Sequence, residues 1–123
     1  MRIIRVAERI APLPGGEEIH VVELTTRQVA AGHQVALLYR AGSAPHCGAI
    51  QRELTGSGWS GSIHGLPGTV TFGGSAASWI MKYGTSDIVH IHGDFTDALF
   101  PAIAARRIGA KTVMTVHAAL NYR

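Results

Sequence analysis

Residues 2–40 run RIIRVAERIAPLPGGEEIHVVELTTRQVAAGHQVALLYR, and the architecture follows from that one segment. Ile3, Ile4, Val6 and Ala7 crowd its start, a short apolar run of the kind that forms a buried strand. Pro12 and Pro14 stop that strand, and Gly15 and Gly16 turn the chain. Residues 17–31 then follow helical spacing, with Ile19, Val22, Thr26 and Val29 on one face and Val21 and Leu24 beside it. Glu17 and Glu18 suit the positive end of that helix, and Gly32 stands where a left-handed residue closes one. Residues 34–40, QVALLYR, form a second strand. A strand, a helix and a strand in this order require parallel pairing and a right-handed crossover.

The remaining chain repeats the alternation. Residues 41–68 show little periodicity and are expected to form a long loop, with a short helix near residues 50–54. GTVTF, residues 68–72, is expected as the third strand. SAASWIMKYG, residues 75–84, is expected as a short helix capped by Ser75 and stopped by Gly84. DIVHIHG, residues 87–93, is a strand with Ile88, Val89 and Ile91 as its apolar core. Residues 94–109 form a helix with Leu99, Ala102, Ile103 and Ala105 facing inward, and Pro101 is expected to kink its front end. KTVMTVH, residues 111–117, is the fifth strand. The fold class expected is α/β, a Rossmann-like doubly wound parallel sheet in the order 3-2-1-4-5.

Composition narrows the function. A chain of 123 residues, 46% of them hydrophobic, is long enough for one domain with a true core. The net charge is +3 and the basic residues are scattered, which argues against a nucleic-acid partner. Cys47 is the only cysteine, so no internal disulfide can form, and a reducing compartment fits. The first apolar run is broken by Arg5, Glu8 and Arg9, unlike a signal peptide. No apolar stretch reaches the roughly 20 residues a membrane helix needs, so membrane contact is expected to be peripheral at most.

In an open parallel sheet, ligands gather beyond the carboxyl ends of the strands. Three loops leave those ends: residues 12–17, residues 92–97, and the chain from residue 117 onward. Gly15 and Gly16 offer bare backbone in front of a helix N-terminus, a setting that suits an anion or phosphate. A glycine pair also serves simply to turn the chain. The stretch is neither the GxGxxG of dinucleotide folds nor a P-loop. His90 and His92 share one face of their strand. His90, inside the strand, reads as a core histidine with partners. His92, at the strand end, is better placed to reach a ligand. The sequence announces no third metal ligand, so no metal site is expected. Asp94 and Asp97 suit a helix cap and a first-turn carboxylate. His117 closes the fifth strand, where an imidazole can hydrogen-bond or exchange a proton near neutral pH.

These blocks, in order, resemble the N-terminal domain of family-4 retaining glycosyltransferases of the GT-B architecture. The typical pattern is a strand, P-x-x-GG-x-E-x-H, a helix, a G-H dipeptide and a second strand. Pro12, Gly15, Gly16, Glu18, His20, Gly32 and His33 occupy those places. DIVHIHGDF and TVMTVHAALN resemble two later signatures, and the likeness covers residues 2–40 and 86–121. The resemblance implies two Rossmann-like domains facing across a cleft. In it Gly15 and Gly16 approach the donor diphosphate. Glu18, His20, His92 and Asp94 lie on the acceptor side, and His117 is the catalytic candidate beside the reacting sugar. It implies a nucleotide-sugar co-substrate, no other cofactor, no bound metal, and a cytoplasmic setting.

The resemblance also implies a donor domain carrying E-x7-E and a basic pair, which residues 1–123 do not supply. They are expected to be a partial acceptor-side N-terminal domain, the incomplete first half of a GT-B fold. Such a part is expected to be inactive alone and to self-associate through the exposed edge of the fifth strand. A different reading of the same residues is a non-catalytic α/β binding or interaction subunit that completes a site with a separate chain.

Overall fold

The structure, a computed structural model, describes residues 1–7, 10, 16–40, 48–54, 68–92 and 95–115. Five strands and three helices alternate: β1 (Arg2–Ala7), α1 (Gly16–Ala30), β2 (Gln34–Tyr39), β3 (Ile50–Glu53), α2 (Gly68–Tyr83), β4 (Ile88–His92), α3 (Phe95–Arg107) and β5 (Lys111–Thr115). The strands form one parallel sheet in the order β3-β2-β1-β4-β5, as the alternation predicts. β1 is central, and Ile3 to Ala7 are buried on both its faces, as a parallel strand covered on two sides requires. The chain leaves β1 toward β2 and leaves β4 toward β5, in opposite directions across the sheet. With right-handed crossovers this puts α1 on one face and α3 on the other, so the carboxyl ends of β1 and β4 flank the switch point.

The larger core lies on the α2–α3 face. Ile4, Val6, Leu38, Val89 and Ile91 meet Phe72, Ala76 and Ile80 of α2 and Ala98, Ala104 and Ala105 of α3. Burying a side chain such as Phe72 or Ile80 contributes about 1.5–3 kcal/mol. The face under α1 holds a smaller cluster: Ala7, Ile10, Val21, Leu37 and Tyr39. Gly32 closes α1 at φ 100°, and the His33 and Gly32 N–H groups return to the Gln28 and Val29 carbonyls. That satisfies two carbonyls the helix end would leave bare.

Five sequence expectations are corrected. The third strand is Ile50–Glu53, not residues 68–72, and residues 50–54 are not helical. Residues 68–72 instead open the 16-residue α2, which contains Ser75 rather than being capped by it. The reason is a stripe: Phe72, Ala76 and Ile80 repeat every four residues and are all buried. The inward face of α1 is Val21 and Thr25, with Val22, Leu24, Gln28 and Val29 half-buried, while Ile19 is 50% exposed and Thr26 is exposed. On α3, Ala98, Pro101, Ala104 and Ala105 are buried, whereas Leu99 and Ile103 stand 42% and 49% exposed. Small residues let α3 lie close to α2 and the sheet. The helix continues through Pro101.

Gly84 does end α2, its N–H bonding the Ile80 carbonyl at 2.8 Å. β5 is an edge strand, with Val113 and Met114 exposed, as expected.

Candidate functional site

Because α1 follows β1, its N-terminus stands at the carboxyl end of the sheet, where its first N–H groups lack intrahelical partners. Gly16 is the first residue of α1, so the bare backbone sits at the helix mouth. Glu18, half-buried, lies in the first turn and His20, exposed, opens the second. β4 ends at the same level with His92, which is fully buried. The His20 and His92 rings lie 6.0 Å apart between centroids. Behind His92, the His90 ring sits at 4.1 Å, on the same strand face as the alternation requires. Three histidines thus form a file from the exposed start of α1 into the sheet. His92 is the more buried, and His20 presents an imidazole to solvent.

His90 carries the partners expected of it. Its Nδ1 lies 3.2 Å from an Arg5 terminal nitrogen and its Nε2 2.8 Å from Thr115 Oγ1. Arg5 was visible in the sequence only as an interruption of an apolar run. It is fully buried at the middle of β1, in register with His90. Its guanidinium also donates to Thr25 Oγ1 at 2.9 Å and to Gln28 Oε1 at 2.5 Å. This explains the rotation of α1: the helix turns hydroxyl and amide acceptors, not its most apolar stripe, toward the buried cation. Burial pushes the Arg5 pKa down to about 10, so the group stays charged near neutral pH. Arg5, Thr25, Gln28 and Thr115 are the site's supporting residues that motif reading missed. The signal for them was an arginine inside RIIRVA with a threonine on the helix that crosses it.

Gly15, Asp94 and His117 lie outside the described residues. Among the described residues no group of three or more His, Cys, Asp or Glu could hold a metal ion. Nor is any helix among them long and apolar enough to cross a membrane.

The site therefore combines a helix N-terminus, a file of imidazoles and a buried guanidinium at the switch point of a doubly wound sheet. A family profile, Glycosyltransferase Family 4, matches residues 14–123, from the residue before Gly15 through all of the sheet beyond β1. The chain belongs to glycosyltransferase family 4. No curated protein matched it. Membership accounts for the Rossmann-like GT-B sheet.

Proposed function

We propose that this family-4 chain is the acceptor-side part of a glycosyltransferase that moves a sugar from a nucleotide-sugar donor to an acceptor. The observation that carries the reading is the meeting of His20 and His92, 6.0 Å apart, beside the N-terminus of α1 at the switch point. An acceptor hydroxyl needs neutral groups that can both donate and accept hydrogen bonds, and imidazoles provide them. Glu18 and Asp94 complete the acceptor side. Gly15 and Gly16 leave room for the donor diphosphate, and the N–H groups behind them stabilise the charge of the departing phosphate. His117 is the catalytic candidate, on the family resemblance of its block. A second Rossmann-like domain binds the nucleotide, and the reaction takes place in the cytoplasm.

The test is kinetic, on an enzyme joining this domain to a donor domain. Gly16→Ala should lower turnover without lowering the thermal midpoint. His117→Ala should cut turnover roughly a hundredfold or more if it transfers a proton. His20→Ala should raise the acceptor KM more than the donor KM. Full activity in all three variants refutes the assignment. Residues 1–123 alone should transfer no sugar, since donor and acceptor must share one closed cleft. Turnover by them alone overturns the division of labour.

One observation favours the second reading, a subunit completed by a separate chain. Among the described residues β5 has a strand neighbour on one side only, and it exposes Val113 and Met114. Leu99, Phe100 and Ile103 of α3 are exposed as well. Such a surface seeks cover, whether from a second copy or from another polypeptide.

A further inference from the structure

A guanidinium has five N–H groups and no acceptor. Arg5 therefore donates its 3.2 Å bond to His90 Nδ1, and that nitrogen carries no proton. A neutral imidazole has only one other place for it. Nε2 bears the hydrogen and donates to Thr115 Oγ1 at 2.8 Å. Adding a proton at Nδ1 would turn an N–H toward an N–H and bring two cations into contact, where Arg5 is wholly withdrawn from water.

We infer that Arg5 is a positioning residue: it holds His90 as the neutral Nε2–H imidazole, and that N–H ties β5 to β4 at Thr115. Arg5 itself is held from α1 by Thr25 and Gln28, so three elements converge on one ring. On β4 the ring faces His92 at 4.1 Å, and beyond it His20 of α1 faces His92. The bond matters at this place because, among the described residues, β5 is an edge strand with β4 as its single neighbour. The tie adds a side-chain bond to the backbone pairing with that same neighbour. The side-chain tie fixes Thr115 two residues before His117. What that contributes to sugar transfer rests on the proposed function. The state of His90 does not, and it can be read without substrate.

The experiment uses the 123-residue chain labelled with 15N-histidine and long-range proton–nitrogen spectra of the imidazoles, followed from about pH 7.5 to about pH 5.5, the range in which ordinary histidines charge. His90→Gln assigns the resonance. The expected result is a bare Nδ1 and a protonated Nε2 throughout. In Arg5→Leu, His90 should populate both tautomers and take up a proton within that range. Thr115→Val should keep the bare Nδ1 but speed amide exchange in β5 roughly tenfold, the loss of about one hydrogen bond. A proton on His90 Nδ1 in the unaltered chain overturns the inference. So does equal protonation of His90 with and without Arg5. Should Arg5→Leu not fold, the unaltered chain and Thr115→Val still decide it. An Nδ1–H in the first, or unchanged β5 exchange in the second, counts against the tie.

Discussion

Thr25→Val is the substitution that weighs the buried guanidinium most directly. Thr25 is fully buried and its hydroxyl has two partners, accepting from Arg5 at 2.9 Å and donating to the Val21 carbonyl at 2.8 Å. Valine keeps the shape and the β-branch, so no cavity opens and helix propensity hardly changes. Two things are lost. The bond to the Val21 carbonyl is secondary, since that carbonyl also serves the helix. The bond from Arg5 involves a charged donor with no water to replace the acceptor, a loss of about 1.5–3 kcal/mol. Thr26 provides the control on the next residue. It makes the same 2.8 Å bond to the carbonyl four residues back, but it is exposed and has no arginine. Thr26→Val should change stability by no more than about 0.5 kcal/mol. The expected difference between the variants is therefore about 2 kcal/mol, or about 5–10 °C in thermal midpoint for a domain of this size. Urea and thermal unfolding followed by circular dichroism measure it. Equal stability of the two variants would refute the reasoning, because the Arg5 contact is the main feature that separates them. Combining Thr25→Val with Arg5→Leu should abolish the difference, since the stranded donor is then gone.

Arg5→Leu should fold with a midpoint within a few degrees of the unaltered chain. Burial that lowers the pKa to about 10 costs the charged form about 3 kcal/mol, which leucine relieves. Against this, Gln28 and His90 each lose a donor at about 1–3 kcal/mol, and Thr25 loses one too but keeps its bond to the Val21 carbonyl. A folded-state pKa depressed below the unfolded value means that this cost is present in full below about pH 10 and fades as pH rises past it. Arg5 therefore adds no slope between about pH 7 and pH 9, and unfolding curves of the two proteins should run parallel there. Gly84→Ala should destabilise more than Gly32→Ala, as urea midpoints will report. A β-carbon at Gly84 would lie 2.5 Å from the Ile80 carbonyl oxygen, whereas at Gly32 it meets open space and only the φ of 100° opposes it, at about 1 kcal/mol. Replacing Val113 and Met114 by lysine should reduce association of the chain in light scattering; unchanged association would move the contact away from β5.

Residues 2–40 disclosed the β1–α1–β2 unit because every signal there is local: an apolar run, a proline stop, helical spacing, and a glycine whose φ of 100° only that residue adopts freely. Chirality then allowed few topologies, and the strand order 3-2-1-4-5 followed without any tertiary contact being known. The two-residue period of a strand likewise put His90 and His92 on one side, where their rings lie 4.1 Å apart.

Tertiary structure alone decided the rest. IQRE is a strand because Ala36 to Tyr39 of β2 present a free edge to it, and nothing inside four such residues could announce that partner. GTVTF has β-branched residues suited to a strand, yet it is helical because Phe72 continues a stripe that the sheet buries. The amphipathic stripe of α1 misjudged its buried face because hydrophobic periodicity cannot weigh a buried cation on another element. Arg5 needs acceptors, and α1 turns Thr25 and Gln28 to meet it. Local sequence determines which elements form and in what order they can pack. Which residues face one another, and hence the Arg5–His90–Thr115 tie, depends on charges and edges brought together from 85 and 25 positions apart, and only the folded chain satisfies them.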